Sequence, residues 1–127
     1  MKILAIETSC DDTGISIIRA PKNKMGGFDV LSNIISSQIE IHKKYGGVYP
    51  MMAKREHQRN LVPVLIQALK ESKLLKVKKQ KPQKVDGRPL FEVKKILKKE
   101  DALFEPTKEF LEKYEKPDID LIAVTNG

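Results

Sequence analysis

The sharpest concentration of chemically useful side chains lies between Thr8 and Gly14, where the sequence reads TSCDDTG. A turn of this kind can aim several backbone N–H groups at one point and form an anion-binding concavity. The residues that would line such a phosphate site are Ser9, Cys10, Thr13 and Gly14. Carboxylates cannot bind phosphate themselves, so Asp11 and Asp12 would act through Mg²⁺, through water or as a general base. The same residue types are also ordinary turn formers, which leaves a purely structural turn open.

Cys10 is the only cysteine in the chain, which excludes an internal disulfide and a cysteine-rich zinc site. A cysteine beside a turn could be a nucleophile, but no neighbouring residue marks it as a reactive thiolate. We therefore interpret it as a small residue in a tight hairpin. His42 and His57 match no metal-binding motif, so no metal site is predicted in this chain.

The elements that must position the turn are short strands on either side of it. Residues 3 to 8 and 15 to 18 are apolar runs with β-branched residues, which predicts a β-hairpin. Residues 28 to 39 suit a third strand, bent near Ser32. Three successive antiparallel strands are therefore predicted at the start of the fold.

A long helix is predicted over residues 51 to 75, with Pro50 placed at its first position. A core-facing stripe recurs at every fourth residue: Leu61, Leu65 and Leu69. Val62 and Ile66 broaden this stripe, so a second covered face is possible. Pro63 lies inside the helix and predicts a kink or a restart about one turn before it.

The net charge of +7 belongs to one segment, because residues 70 to 100 hold twelve Lys/Arg against four Asp/Glu. We interpret residues 73 to 116 as a lysine-rich insert, a solvated loop over 76 to 90 and then two short amphipathic helices. The first of these helices contains Phe91, and the second is predicted to start at Pro106. The insert is either a nucleic-acid-binding extension, since clustered lysines attract the phosphate backbone, or a solvated helical hairpin.

Residues 119 to 125 are strongly apolar and predict a strand that is parallel to an earlier strand and buried in the sheet. The order of elements is typical of an α/β fold and of most of one ribonuclease-H-like unit. The last strand would lie at an unfinished sheet edge, which is a pairing hazard. Hydrophobic residues make up 40% and charged residues 32%, without a spanning run or a secretory signal, so we expect a cytoplasmic protein rather than a membrane-embedded one.

Three blocks of this sequence resemble the tRNA N6-adenosine threonylcarbamoyltransferase family, also known as the O-sialoglycoprotein endopeptidase or glycoprotease family. The blocks are ILAIETSCDDTG, SSQIEIHKKYGGVYPMMAKREHQRNLVPVL and DIDLIAVTNG. The bacterial form is the closer one, and the resemblance covers residues 1 to 75 and 117 to 127. The resemblance implies that residues 1 to 127 are the amino-terminal part of one lobe of an actin-like ATPase (ASKHA) fold.

The resemblance also implies an activity, the transfer of threonylcarbamoyl from threonylcarbamoyl-adenylate to adenosine 37 of tRNA. The turn from Ser9 to Thr13 would be the first phosphate-facing loop, with Asp11 assisting the transfer and Asp12 as its neighbour. Gly46 and Gly47 would permit a sharp turn or a close approach of the backbone to a ligand. Four side chains of the following helix would reach phosphate or RNA: Lys54, Arg55, His57 and Arg59. A solvated helix face is the alternative for these basic residues.

Two departures from the family pattern limit what the resemblance implies. The family's Gly-Pro-Gly turn and His-x-x-x-His metal pair do not follow the closing strand within this sequence. We therefore expect this chain alone to bind no cofactor and to be inactive, although the intact family uses one divalent metal, iron or zinc, and an adenylate or ATP ligand. The connection between the helix and the closing strand is also longer than the resemblance implies.

The expected partners are tRNA, threonylcarbamoyl-adenylate, a degenerate paralogue and an ATPase of the modification complex. An alternative function is a non-catalytic module that pairs with the paralogue through the helix at 51 to 75. A homodimer through that helix or through the unfinished sheet edge is a further possibility. Protease chemistry finds no support, because the sequence contains neither an HExxH motif nor a Ser or Cys nucleophile with a recognisable base.

Overall fold

A mixed sheet carries the fold within residues 1–23, 26–79 and 88–126, which the computed structural model describes. Its strands are β1 (Lys2–Glu7), β2 (Asp12–Arg19), β3 (Asp29–Ser37) and β4 (Leu121–Val124). They lie in the order β3-β2-β1-β4, and only the pairing of β4 with β1 is parallel. The helices of the described residues are α1 (Ile39–Lys43), α2 (Pro50–Glu71), α3 (Arg88–Ile96) and α4 (Asp101–Lys113). The predicted α/β class, a partial ribonuclease-H-like lobe, is confirmed.

The predicted bend in the third strand is a β-bulge. Ile17 pairs with Ser32 and Ile18 pairs with Val30, so β3 has one extra residue between these two pairs. The strand ends earlier than predicted, because Ser37 pairs with Asp12, the first residue of β2. The backbone beyond Ser37 therefore has no partner on β2, and Ile39 begins helix α1 instead of continuing the strand.

The core lies between the sheet and helix α2. Alternate residues of β2 are buried toward the helix, as the period of two of a strand requires. The buried cluster contains Leu4, Ile15, Ile17, Val64, Ala68 and Leu69. Leu61 and Leu65 pack half-buried against this cluster, which confirms the predicted stripe. Each large aliphatic side chain buried here stabilises the fold by about 1.5–3 kcal/mol.

Helix α2 begins at Pro50, as predicted, and continues to Glu71 without a restart at Pro63. Of the two predicted alternatives, a kink or a restart, the restart is therefore wrong. Pro63 is exposed, so its ring points away from the core while the packed residues on both sides hold the helical conformation. Beyond the end of α2, Lys73 has a φ of 60°, and the N–H of Leu74 donates to the carbonyl of Leu69 at 2.9 Å. This is the Schellman arrangement that closes a helix.

The lysine-rich insert folds back onto α2 through helix α4. An isolated bridge pairs Val77 with Tyr114 and holds the two ends of the insert together. Val62 of α2 is buried, and it borders a small cavity of about 220 Å³ shared with Phe110 and Tyr114. The second covered face of α2 is therefore confirmed. Residues 80–87 of the loop predicted over 76 to 90 lie outside the described residues, and residues 88 to 90 belong to helix α3 rather than to a loop.

The second helix of the insert starts at Asp101 rather than at Pro106, which corrects the sequence prediction. Leu103 and Phe104 are half-buried, so their packing stabilises a helical turn before the proline. Pro106 removes only one backbone hydrogen bond, to a carbonyl in the first turn of the helix. Residues 88–96 form α3, as predicted for the segment around Phe91.

The closing strand β4 is parallel to β1, as predicted, but it is exposed and not buried. It lies at the edge of the sheet, beyond the reach of α2, which packs against β2 and β3. The exposed fractions of Ile122 and Val124 are 61% and 65%. The prediction failed because an unbroken apolar run indicates that a strand is suited to burial, whereas burial itself depends on covering elements. None of the described helices is long and apolar enough to cross a membrane.

Candidate functional site

A hydrogen-bonded chain joins the turn after β1 to helix α2. The hydroxyl of Thr13, which is fully buried, lies 2.8 Å from Nδ1 of His57, and Nε2 of the same ring lies 3.1 Å from the carbonyl oxygen of Cys10. A carbonyl only accepts hydrogen bonds, so Nε2 carries the proton that it donates to Cys10. In the neutral ring, Nδ1 then accepts from the Thr13 hydroxyl. His57 therefore fixes the turn from both sides.

The turn itself is held in an unusual conformation. Cys10 has a φ of 51°, in the left-handed region that non-glycine residues seldom adopt. The N–H of Ser9 donates to Oε1 of Glu7 at 2.6 Å, and the N–H of Thr8 faces the hydroxyl oxygen of Thr125 at 3.4 Å. The end of β1 and the end of β4 are thus tied to the turn.

Glu7 is a residue of the site that the sequence analysis missed. Hydrogen bonds from the hydroxyl and the N–H of Ser9 hold the pKa of the Glu7 carboxyl below its ordinary value, with further contributions from Thr125 and His57. The sequence did contain a signal for this role: Glu7 is the last residue of a strand, and the N–H that donates to its carboxylate belongs to Ser9, two residues later. Glu7 therefore stays ionised and orders the turn.

A groove of about 440 Å³ opens between the turn and the amino-terminal half of α2. Its lining residues are Thr8, Cys10, Val48, Pro50, Ala53, Lys54, His57, Gln58, Leu61, Glu100 and Leu103. The insert contributes Glu100 and Leu103, so the lysine-rich segment forms one wall of this groove. Glu100 lies 3.0 Å from Nζ of Lys54 and also accepts a hydrogen bond from Gln58.

A second cavity of about 430 Å³ lies on the opposite face of the sheet, where Glu7 and Asp12 meet β4. Asp12 Oδ1 is buried there and has no hydrogen-bond partner within the described part of the chain. A buried carboxylate oxygen without a partner is costly, so this position favours a donor or a cation. The turn thus presents different side chains to the two faces of the sheet.

The glycine loop before α2 is supported by His42, which is buried. The N–H of Tyr49 donates to His42 Nδ1 at 3.1 Å, so Nε2 of this ring carries the proton and donates to Oε1 of Gln38 at 2.8 Å. Gln38 in turn donates to the carbonyl of Ala53 at 3.4 Å. Both histidines are therefore engaged in positioning backbone. Gly46 has a φ of 72°, a conformation for which glycine is the favoured residue.

The structure brings some predicted site residues together and leaves others apart. Cys10, Lys54 and His57 line the groove, whereas Asp12 and Gly14 line the opposite cavity. The remaining predicted residues that line neither cavity are Ser9, Asp11, Thr13, Gly46, Gly47, Arg55 and Arg59.

Asp11, the predicted catalytic residue, is half-buried, and its carbonyl accepts the N–H of Gln38 at 2.8 Å. Arg55 is exposed, and Arg59 pairs with Glu56 of the same helix at 2.9 Å. No group of three or more His, Cys, Asp or Glu side chains suited to a metal ion is found in residues 1–23, 26–79 and 88–126. The individual roles assigned to these residues stay predictions.

The fold and the turn define the class of protein to which the chain belongs. A β-hairpin, a third antiparallel strand, a covering helix and a parallel fourth strand form part of a ribonuclease-H-like lobe of the actin-like ATPase class. Residues 29–81 match the family model described as tRNA N6-adenosine threonylcarbamoyltransferase. Residues 29–81, less than half of this chain, are thus similar to that family.

Curated relatives with this name agree with the family match. The protein from Persephonella marina is 53% identical over 72 residues, which is 57% of this chain and 19% of that relative. The proteins from Fusobacterium nucleatum and Protochlamydia amoebophila are 50% and 47% identical over 74 residues, 58% of this chain and 20% of each relative. The chain therefore spans about one fifth of the length of the relatives that it matches.

Proposed function

We propose that this chain forms the first phosphate-facing part of a cytoplasmic enzyme that transfers threonylcarbamoyl from threonylcarbamoyl-adenylate to N6 of adenosine 37 in tRNA. The observation that carries the proposal is the hydrogen-bonded chain from Thr13 through His57 to Cys10. It joins the hairpin turn and the basic helix, which belong to two of the three blocks that carry the family resemblance, beside one groove. Two segments distant in sequence are thereby held in a single site.

The proposed chemistry assigns roles to the turn. The N6 amine attacks the carbamoyl carbonyl carbon of the mixed anhydride, the bond from that carbon to the phosphate oxygen breaks, and AMP leaves. The attacking amine loses a proton, and Asp11 is the proposed acceptor. Asp12 is its neighbour in sequence, but the Asp12 side chain lines the cavity on the opposite face of the sheet. Backbone N–H groups of the turn would face the phosphate of the adenylate. The Ser9 hydroxyl would join them only after release from Glu7, to which it donates in this structure. The Thr13 hydroxyl is engaged by His57 and therefore positions the turn instead.

The further ligands and partners of the family are part of the same proposal. The described residues do not supply a ligand set for the divalent metal, so no step is assigned to a metal in this chain. The basic residues Lys54, Arg55 and Arg59 on α2 would contact the phosphate groups of tRNA or of the adenylate. A paralogue and an ATPase complete the proposed modification complex.

Pairing through α2, the alternative function, is restricted by the insert. Helix α4 packs against α2 and leaves Val62 only 7% exposed, so part of the broad apolar stripe is covered within the chain. A partner helix would have to use the remaining surface of α2 or displace α4. This observation favours the catalytic proposal over a scaffold that pairs through the Val62 side of α2.

A chimeric enzyme tests the proposed function. Residues 1 to 75 would replace the matching segment of the Persephonella marina relative, to which this chain is 53% identical over 72 residues. We expect the chimera to transfer threonylcarbamoyl to tRNA, and Asp11→Asn in it to lower the rate by about 10²–10⁴-fold. The matched control is Glu40→Gln, at an exposed residue that pairs with Lys43 away from both cavities. A folded chimera without activity, or an Asp11→Asn variant as active as the control, would contradict the proposal.

A further inference from the structure

Glu100 makes contacts that are unusual for its position. It is the residue that precedes α4, yet its carboxylate makes no capping hydrogen bond to its own helix. One oxygen instead lies 3.0 Å from Nζ of Lys54, and the other accepts from Nε2 of Gln58. Both oxygens of the carboxylate are therefore held by donors of a different helix.

Lys54 and Gln58 are one turn apart on α2, so their donors converge on the same side of the groove. A cation and an amide N–H₂ arranged to hold two oxygens of one anion form a recognition site for oxyanions in general. The same groove is bordered by Thr8 and Cys10 of the turn that is proposed above to face phosphate. Glu100 thus occupies the place in which an anionic ligand would meet the helix.

We propose that Lys54 and Gln58 form a phosphate subsite and that Glu100 is a tethered competitor, which the phosphate group must displace. The lysine-rich insert would then regulate access to the groove by electrostatic competition, besides forming one of its walls. Part of the pair is solvated, since the Lys54 and Glu100 side chains are 60% and 32% exposed, so an incoming dianion can replace the carboxylate. This subsite deepens the phosphate contact that the proposed function gives to Lys54, but phosphate binding there does not require the transfer reaction.

The test is a titration of the full 127-residue chain with inorganic phosphate, followed by ¹H–¹⁵N NMR. The wild-type chain should bind weakly, with shifts at Lys54, Gln58 and Glu100. Glu100→Gln removes the competing charge and should tighten phosphate binding about threefold to tenfold. Lys54→Met should abolish binding, whereas Glu40→Gln, in an exposed pair outside the groove, should bind as the wild type does.

Hydrogen exchange distinguishes this proposal from the alternative that the contact of Glu100 with Lys54 and Gln58 only stabilises the fold. Saturating phosphate should speed exchange at residues 97 to 105 of the wild type, because the contact of Glu100 with α2 is released. Unchanged exchange, equal affinity of wild type and Glu100→Gln, or phosphate binding that survives Lys54→Met would each overturn the proposal. If Glu100→Gln fails to fold, the exchange experiment and Lys54→Met decide the question.

Two further ligands identify the source of the phosphate group. AMP presents a monoester, and a short single-stranded oligoribonucleotide presents diesters of an RNA backbone. The ligand that binds more tightly to Glu100→Gln and more weakly to Lys54→Met identifies the class of phosphate that the subsite binds. If neither ligand nor inorganic phosphate shows this pattern, the proposed subsite is contradicted. An inactive chimera in the transfer assay would leave these binding results intact, so the two proposals fail separately.

Discussion

At the level of single residues, Thr13 and His57 couple segments that are 44 positions apart in the sequence. The Thr13 hydroxyl is fully buried, so removing it leaves Nδ1 of His57 without its donor. Loss of a buried hydrogen-bond partner costs about 1–3 kcal/mol. The turn, and not the core, would be affected first, because His57 also holds the carbonyl of Cys10.

We therefore expect Thr13→Val, which keeps the shape of the side chain, to lower the free energy of unfolding by about 1–3 kcal/mol. Thr13→Ser keeps the hydroxyl and should lose less, mainly the packing of one methyl group. Chemical denaturation of the two variants and the wild type measures both effects. A valine variant as stable as the serine variant would show that the bond to His57 contributes nothing.

At the level of elements, the end of helix α2 contains a residue in an unfavourable conformation. Lys73 has a φ of 60° and is exposed, and the N–H groups of Lys73 and Leu74 close the helix by bonding to Lys70 and Leu69. Glycine adopts this left-handed conformation without the steric penalty of a Cβ atom, which is about 1–2 kcal/mol. The backbone at this helix end thus has the geometry of a capping motif, but the residue in the left-handed position is lysine instead of the favoured glycine.

We expect Lys73→Gly to raise the free energy of unfolding by about 0.5–1 kcal/mol, since the gain in the folded state is partly offset by the freer unfolded chain. Thermal unfolding followed by circular dichroism measures the change. Lys70→Gly, inside the last turn of the same helix, is the matched control and should destabilise by about 1 kcal/mol. A stability that falls in both variants would contradict the assigned capping conformation.

At the level of the whole molecule, carboxylates tie the two ends of β4 to the rest of the sheet. The Lys2 side chain, through its hydrogen bond and its charge, holds the pKa of Asp118 below the ordinary value, and Glu7 has a lowered pKa at the other end. The backbone N–H of Lys2 also donates to Asp120 at 2.6 Å. An ion pair as well as strand pairing therefore holds the segment after the insert against β1.

The lowered pKa values set the direction of the pH dependence. A carboxyl whose pKa is lower in the folded state contributes stability above its unfolded pKa, and that contribution is lost as pH falls through the folded pKa. We expect the stability difference between the wild type and Asp118→Asn to be present at neutral pH and to shrink below about pH 4. Denaturation at several pH values measures it, with Asp29→Asn as the control. A difference that persists at pH 2 would contradict the assignment.

Much of the fold could be predicted from local pattern. The hairpin, the bend near Ser32, the start of α2 at Pro50 and the parallel closing strand all follow from residue types and periodicity over short stretches. The ends of elements were less predictable, because they depend on distant partners. β3 stops where β2 has no further residue to pair, and α4 begins where Leu103 finds a packing surface.

The sequence by itself determined the resemblance to the family, the turn at residues 8 to 14 and the helix stripe, because these depend on residue identity and on spacing within single segments. Only the tertiary structure decided that His57 fixes the turn, that Glu7 belongs to the site and that Glu100 of the insert faces Lys54. It also decided that β4 is exposed. The physical reason is that contacts between distant segments, and burial itself, depend on how the elements pack, which local pattern does not specify.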